Sequence, residues 1–146
     1  MKKRDIKIYD STLRDGAQTK GVAFSFKDKV RISEILDDLG VDYIEGGWPG
    51  ANPTDDKFFK QSPKFKNAQL VAFGMTRKEG NSAGNDPGLN AIINSGATSA
   101  CIVGKTWDFH VRKALKIGLK NNLDMIFDSV NYSSKKLNDV MFDAEH

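Results

Sequence analysis

The residues best suited to chemistry lie together near the start of the sequence, in the stretch DSTLRDGAQ from Asp10 to Gln18. Asp15 offers a carboxylate, a hard oxygen ligand of the kind that Mg²⁺ and Mn²⁺ prefer. The guanidinium of the adjacent Arg14 can bind a carboxylate or an oxyanion through two parallel hydrogen bonds. The alternative is a solvated loop pair, since Arg and Asp side chains often meet on surfaces without a function. The stretch therefore indicates either a metal and anion site or an ordinary surface loop.

A short apolar run precedes this stretch, and a helical pattern follows it. Residues 6–9 predict a strand that ends at the polar cluster and presents it to a site. Ser25 and Asp28 have the spacing of a capping box, and Gly40 suits the end of the helix that they open. That helix is expected to bury an apolar stripe formed by Ile32, Ile35, Leu36 and Leu39. The polar cluster is thus placed between a strand and a helix.

Four more strands are predicted, over residues 41–45, 70–74, 98–103 and 140–144. Because side chains alternate along a strand, Val41, Tyr43 and Glu45 are expected to share one face of the second strand. The intervening segments show helical patterns, which begin at Asn52-Pro53 and Asp86-Pro87, cover residues 108–119 and start again near Leu123. The polar segment 76–85 predicts a mobile loop.

Strands that alternate with helices at this spacing predict a parallel sheet of right-handed βαβ units. Such a sheet is either open and doubly wound or closed as a barrel. No glycine-rich nucleotide-binding motif follows the first strand, which argues against the usual open sheet. Polar residues instead follow the predicted strand ends, where barrels keep their active sites: Arg14, Asp15, Glu45, Lys105 and Glu145.

The predicted fold class is therefore α/β, with parallel (β/α) units of a TIM barrel. A complete barrel has eight strands and about 250 residues. This chain has 146 residues and five predicted strands, so the barrel is expected to be incomplete. Residues 1–146 are interpreted as the N-terminal portion of one catalytic barrel.

The composition is that of an ordinary globular chain, with 39% hydrophobic and 28% charged residues. The net charge of +3 comes from lysines scattered among acids, which argues against a nucleic-acid partner. The basic start, residues 1–5, is followed by no apolar segment typical of a signal peptide, and no run of 18 apolar residues occurs, so we expect a cytoplasmic protein without a membrane partner. The single cysteine, Cys101, is expected to be a small buried residue.

The stretch from Asp10 to Gln18 resembles the D-[ST]-T-L-R-D-G-x-Q opening of the isopropylmalate, homocitrate and citramalate synthase family and of its relative hydroxymethylglutaryl-CoA lyase. Four further stretches cover most of the remaining chain: VDYIEGGWPGANP (41–53), AFGMTR (72–77), GKTWDFHV (104–111) and DAEH (143–146). These are most similar to the citramalate synthase branch.

The resemblance implies a metal-dependent condensation of acetyl-CoA with a 2-keto acid. Pyruvate is the expected keto acid, and citramalate, an entry to isoleucine, is the expected product. Asp15 would bind a divalent metal, Mg²⁺ or Mn²⁺ with Zn²⁺ as a further candidate, and Arg14 would bind the keto acid and hold the oxyanion. Glu145 would be the acidic group near the reacting carbons. Gln18 and Glu45 would orient the substrate, either by binding it or by holding a residue that contacts it, although either could be only structural.

The sequence departs from the family pattern at the metal site, because members complete it with a His-x-His pair and this chain has two histidines in no such arrangement. We therefore expect weak metal binding and little activity from these 146 residues alone, with poor stability or self-association through the open edges of the sheet. A full-length protein would be expected to form a homo-oligomer.

Two alternative functions remain open. One is a lyase that cleaves hydroxymethylglutaryl-CoA, which shares the opening motif. The other is an inactive fragment that acts only by docking onto an intact subunit.

Overall fold

The computed structural model describes residues 6–61 and 63–145, in which five parallel strands form one sheet. The strands are β1 (Tyr9–Asp10), β2 (Tyr43–Gly47), β3 (Gln69–Met75), β4 (Ser99–Lys105) and β5 (Asp139–Glu145). Their spatial order is the same as their order in the chain. A doubly wound sheet reverses its strand order at a switch point, so this order belongs to a barrel. The prediction of an incomplete α/β barrel is confirmed.

Helices connect the strands, in the alternation that the sequence predicts. They are α1 (Phe26–Leu39), α2 (Pro53–Gln61), α3 (Pro87–Ile93), α4 (Asp108–His110) and α5 (Leu119–Ser134), with a π-helical turn at Val111–Leu115. The capping box of α1 is present, since the backbone N–H of Ser25 donates to Asp28 at 2.8 Å and that of Asp28 donates to Ser25 Oγ at 3.2 Å. Gly40 ends α1 with a φ of 86°. Local capping chemistry therefore places α1 as predicted.

Most of the apolar core lies between the sheet and the helices. This outer layer includes the fully buried side chains of Leu13, Ile44, Phe58, Leu89, Ile92 and Ile102. The opposite side of the sheet, here called the inner face, carries the buried cluster Val71, Phe73, Cys101 and Val103, with Tyr9, Tyr43, Trp48 and Met141 packed against it. Cys101 is 8% exposed, so its prediction as a small buried residue is confirmed.

The first two strands differ from their predicted positions. Strand β1 is shorter and later than the predicted 6–9, and Ile6 and Ile8 are 83% and 57% exposed. The backbone N–H of Ile8 donates to the Asp42 carboxylate at 2.8 Å. This N–H therefore bonds to a side chain and not to the backbone of the neighbouring strand. Val41 precedes β2 and packs in the outer layer, so the prediction that it shares a face with Tyr43 was wrong.

Helix α1 buries a different set of residues from the one predicted. Ile35 and Leu39 are 51% and 76% exposed, whereas Lys29, Ser33 and Asp37 are buried. Each of these three polar side chains has a hydrogen-bond partner, which compensates for its burial. The predicted apolar stripe was therefore wrong at Ile35 and Leu39. The hydrogen bonds of the polar side chains also decide which face of α1 is buried.

The predicted helix over 108–119 was also wrong. The chain passes from α4 into the π-helical turn and then leaves helical geometry at Lys116, whose φ is 58°. Leu115 and Leu119 consequently belong to different elements, and α5 begins earlier than the predicted Leu123. A left-handed residue cannot continue a right-handed helix, and the sequence carries no glycine at this position that would have indicated it.

The segment 76–85 is held by specific contacts, although the sequence predicted a mobile loop. It contains a 3₁₀ turn at Ala83–Asn85. Arg77 donates to Asp128 at 2.7 Å, and its backbone N–H donates to Ser129 Oγ at 2.8 Å. These bonds tie the segment to α5.

Most of the exposed large apolar side chains lie on the first and last units of the sheet. On α5, the exposed residues recur every four positions: Leu119, Leu123 and Phe127 are 38%, 64% and 68% exposed.

None of the helices in residues 6–61 and 63–145 combines the length and the apolar character that crossing a membrane requires.

Candidate active site

The guanidinium of Arg14 is held at the carboxyl ends of three neighbouring strands. Arg14 follows β1, and its Nε donates to the Glu45 carboxylate on β2 at 2.8 Å. Its Cζ lies 3.9 Å from the ring centroid of Phe73 on β3. The hydroxyl of Tyr9 on β1 donates to the second oxygen of Glu45 at 2.7 Å. A single cation is thus oriented by a carboxylate, an aromatic face and a third side chain that orients the carboxylate.

The surroundings raise the pKa of two members of this cluster, Arg14 and Tyr9. Burial by itself lowers the pKa of Arg14, but the hydrogen bond and the charge of Glu45 outweigh it and raise that pKa. Burial, followed by the charge of Glu45, raises the pKa of Tyr9 far above its ordinary value. Because Glu45 is fully buried, both of its oxygens are used within the protein. Glu45 therefore positions Arg14, and the Arg14 side chain, 18% exposed, is the group that can meet a ligand.

Asp15 differs from Glu45 in being open to solvent. Its side chain is 62% exposed, and one oxygen lies 3.2 Å from Arg14 Nη1. The turn that carries it is closed by the backbone N–H groups of Arg14, Asp15 and Gly16, which all donate to the carbonyl of Ser11. The local sequence thus directs Asp15 outward beside the guanidinium.

Within residues 6–61 and 63–145, no group of three or more His, Cys, Asp or Glu side chains is placed to hold a metal ion. Asp15 is the candidate ligand, but Glu45 is already bonded to Arg14 and Tyr9. His110 packs against the ring of Trp107 at 4.6 Å, and His146, the last residue of the DAEH stretch, lies outside the described residues. The donor set in the described chain therefore does not complete a site for a divalent ion.

A second charged group stands at the ends of β4 and β5. Lys105 and Glu145 are paired in the strand register, and their side chains form an ion pair on the inner face. The backbone N–H of Thr106 donates to the Glu145 carbonyl at 3.0 Å. The amide of Asn122 on α5 donates to the Lys105 carbonyl at 2.8 Å. The ladder and the outer helix together hold this pair in place.

The two charged groups border two separate cavities. The first, here called the arginine cavity, has a volume of about 390 Å³, and Arg14 and Gln18 are among its lining residues. The second, the apolar cavity, has a volume of about 420 Å³ and includes Lys105 in its wall. Its apolar lining residues include Trp48, Met75, Leu115, Ile117 and Met125. Gln18, which lies in the 3₁₀ turn Gly16–Gln18, is therefore placed beside Arg14.

The predicted site residues thus fall into two sets. Arg14, Asp15, Gln18 and Glu45 come together around the first two strand ends, whereas Glu145 is held by Lys105 in the second group. The sequence places Lys105 among the polar residues at the strand ends, but it assigns Lys105 no part in the reaction. Its pairing with Glu145 follows from the register of β4 and β5.

Sequence reasoning missed two further features of the site. Tyr9 and Phe73 support Arg14, and the alternation of side chains along β1 and β3 was the signal for their inward direction. The second feature is a buried ion pair between Lys29 and Asp55, which are 3% and 7% exposed. These two residues lie on different helices and 26 positions apart, so no local pattern connects them.

Comparisons with known proteins identify the family and the fold of this chain. A family model described as HMGL-like matches residues 5–146. The (R)-citramalate synthase of Aquifex aeolicus is 51% identical over 95% of this chain, and that of Sulfolobus acidocaldarius is 49% identical over 98%. A 2-isopropylmalate synthase of Sulfurisphaera tokodaii is 32% identical over 89% of the chain.

The chain spans about a quarter of the length of the two citramalate synthases, 27% and 28%, and 32% of the isopropylmalate synthase. Among solved structures, the hydroxymethylglutaryl-CoA lyase of Pseudomonas aeruginosa superposes with a TM-score of 0.70 over 94% of this chain and 45% of its own. Its sequence identity is 17%, so this likeness concerns the fold. The family match over residues 5–146, together with the five sequentially ordered parallel strands, shows that this chain belongs to the HMGL-like family.

Proposed function

We propose that this chain carries part of the active site of an acyl-CoA condensing synthase, which joins acetyl-CoA to a 2-keto acid. The observation that carries the proposal is the Arg14 guanidinium, fixed by Glu45 and Phe73 with Asp15 beside it, in a chain 51% identical to an (R)-citramalate synthase. That relative supports pyruvate as the keto acid and citramalate as the product. The pathway would then lead to isoleucine.

Arg14 suits the anionic stages of this reaction. A condensation of this type removes a proton from the acetyl methyl group, and the resulting carbanion forms a carbon–carbon bond to the keto carbonyl. The carbonyl electrons then move onto oxygen, where a fixed guanidinium stabilises the new negative charge. The oxyanion takes up a proton, and water cleaves the thioester to release free CoA and a carboxylate. The held geometry of Arg14 means that little reorganisation accompanies the charge development.

Glu145 is proposed as the acidic group near the reacting carbons, with Lys105 as its neighbour. The ion pair between them supports this role because it holds the carboxylate at the strand ends, next to the apolar cavity that Lys105 lines. A carboxylate so placed can accept or return a proton at a bound substrate.

A divalent metal remains part of the proposal through Asp15, and it would supply Lewis-acid chemistry at the keto acid. The described residues offer no complete donor set, so the roles of Arg14 and Glu145 are derived without it. For the 146 residues alone, we expect weak binding of Mg²⁺ and Mn²⁺, which calorimetric titration with each ion measures. Tight binding that survives Asp15→Asn would contradict the assignment of Asp15.

The function is tested with the complete reading frame that contains this sequence. The purified product is incubated with pyruvate and acetyl-CoA, with and without Mn²⁺, and both free thiol and citramalate are measured. Arg14→Met is expected to lower kcat by about 100-fold or more, as for the loss of an oxyanion-stabilising group. Arg31→Met is the matched control, because Arg31 is 72% exposed and pairs with Glu34 on the surface of α1.

The alternatives give different products. A lyase would convert hydroxymethylglutaryl-CoA into acetyl-CoA and acetoacetate and would produce no citramalate. A fragment that acts by docking would show no turnover by itself and would copurify with a longer homologue. Either result would refute the synthase assignment for the product tested.

A further inference from the structure

Trp48 lies between the two cavities at the strand ends. Among the described residues, it is the one side chain that lines both the arginine cavity and the apolar cavity. On one side of it lie Arg14 and Gln18, and on the other lie Met75 and Lys105. The indole is therefore a wall between a cavity bordered by a guanidinium and a cavity with a mostly apolar lining.

The backbone of Trp48 is held by the buried ion pair of Lys29 and Asp55. The N–H of Trp48 donates to Asp55 at 2.9 Å, and Lys29 also donates to the carbonyl of Gly46 at 2.9 Å. The turn before Trp48 requires glycine, since Gly47 has a φ of 145° and an added Cβ would lie 2.5 Å from Asp55 Cγ. These contacts fix where the indole leaves the chain.

The indole itself is packed against the platform of Arg14. Its ring meets Phe73 edge to face at a centroid distance of 5.5 Å, and Phe73 carries the guanidinium of Arg14 on its own face. Indole Nε1 also lies 3.3 Å from the position that a Cβ on Gly74 would occupy, so β3 approaches closely on that side. The wall is rigid because it is supported by β2 and β3 together.

We propose that Trp48 is a specificity-determining residue, which limits the side chain of the 2-keto acid bound at Arg14 in the arginine cavity. This inference rests on the proposed function. Arg14 and Trp48 line the same cavity, so a keto acid whose carboxylate is bound by the guanidinium places its side chain near the indole. A methyl group fits there, whereas a branched chain meets the ring. A smaller residue at position 48 would join the two cavities and admit longer keto acids.

The first test uses Trp48→Leu and Trp48→Phe in the complete reading frame. The ratio of kcat/KM for 2-ketoisovalerate to that for pyruvate is expected to rise about tenfold or more in Trp48→Leu, since one methylene in an apolar pocket is worth roughly 10- to 200-fold. Trp48→Phe is expected to show a smaller rise. Trp107→Leu is the control, because Trp107 is 49% exposed and lines neither cavity.

The second test needs no turnover. The emission of Trp48 is taken as the difference between the unmodified protein and Trp48→Phe, and it is followed while pyruvate or CoA is added separately. Each ligand is expected to change the emission. Arg14→Met is expected to abolish the response to pyruvate and to leave the response to CoA unchanged.

The outcomes separate the two proposals. If the unmodified protein turns over pyruvate but Trp48→Leu and Trp48→Phe keep the original selectivity, the role of Trp48 is overturned and the synthase assignment stands. If no keto acid is turned over, the synthase assignment fails, and the fluorescence titration alone tests the position of Trp48. An emission that responds to neither pyruvate nor CoA would overturn the role of Trp48, and an emission that responds to both would support it. Should Trp48→Leu not fold, Trp48→Phe and the emission titration decide.

Discussion

The two sides of the sheet are built from the same five strands, yet they differ in chemistry. In the outer layer, Ile44, Leu70 and Ile102 alternate with the strand period and pack against helices, and most core side chains are fully buried. On the inner face, Glu45 and Phe73 occupy the intervening positions and support a guanidinium. Because neighbouring residues point to opposite sides, one strand can serve stability with one half of its side chains and binding with the other.

The largest expected effect tests whether the outer layer carries the stability. Phe58 is fully buried there, so Phe58→Ala is expected to cost about 3–5 kcal/mol of unfolding free energy, as for other buried aromatic truncations. Phe73→Ala on the inner face is expected to cost less than half as much. Urea unfolding followed by circular dichroism measures both. Equal losses of unfolding free energy would show that the outer layer does not contribute more stability than the inner face. If Phe58→Ala does not fold, the milder variant Phe58→Leu is measured in its place.

A smaller effect is expected from the inner face, where charge rather than volume is at stake. Glu45→Gln keeps the shape of the side chain but leaves Arg14 without its carboxylate, which should cost about 2 kcal/mol. Proposed synthase activity should fall with it, because Arg14 is no longer held over Phe73. The control is Tyr9→Phe, which removes a neutral donor to Glu45 and should cost about 1 kcal/mol. A stable and fully active Glu45→Gln would show that Glu45 does not position Arg14.

The outer layer also contains a charge, Asp37, which serves structure rather than binding. Burial by itself raises its pKa, but backbone N–H groups of Lys66, Asn67 and Ala68 donate to the carboxylate at 2.8 Å and leave the pKa below its usual value. The stability from Asp37 is therefore complete above pH 4, near the unfolded pKa of about 3.9, and is lost as the pH falls through the lower folded pKa.

Asp37→Asn is expected to cost about 1–2 kcal/mol at neutral pH and to flatten the dependence of stability on pH below 4. Thermal melts from pH 7 down to pH 2 measure this change. Asp38→Asn is the control, since Asp38 is the exposed neighbour on the same helix. If the two variants have the same pH profile, the N–H bonds to Asp37 do not stabilise the fold.

The smallest effect is chemical and concerns how open the inner face is. Burial raises the pKa of the Cys101 thiol to about 11, and the neighbouring Tyr9 side chain offsets only part of this effect. At pH 8 only about one thiol in a thousand is then ionised, so alkylation by iodoacetamide should be slow. Its rate should rise about tenfold per pH unit while the fold persists. Labelling of the native chain as fast as that of the urea-unfolded chain would show that the inner face is open to reagents.

Much of the fold could be predicted because it depends on local patterns. Strands β3, β4 and β5 lie within two residues of their predicted ends, and the caps at Ser25, Asn52 and Asp86 are present as expected. The errors arose where local signals compete. Ile35 has the apolar spacing of a buried residue, yet Lys29 and Asp37 are the buried side chains of α1. Lys29 donates to the Gly46 carbonyl in β2, and Asp37 accepts from the backbone of residues 66–68.

The candidate site divides in the same way. Arg14 and Asp15 could be identified from their types and from their place after a strand, and their roles remain part of the proposal. The sequence also indicates Glu45 as a site residue. The contacts of Glu45 and Phe73 with Arg14 could not be predicted, because these residues lie 31 and 59 positions away along the chain. Leu119, Leu123 and Phe127 on α5 have the spacing of a buried apolar stripe, yet they are exposed. Spacing alone cannot show this, because burial depends on which other elements pack against the helix.

The sequence by itself determined the alternation of strands and helices, the capped helix starts and the polar residues at the strand ends, because each depends on neighbours within a few positions. The tertiary structure alone decided that Glu45 is buried against Arg14, that Lys29 pairs with Asp55 and that Trp48 separates two cavities. These contacts join residues from different strands and helices, and their energies depend on burial and distance, which no local pattern contains.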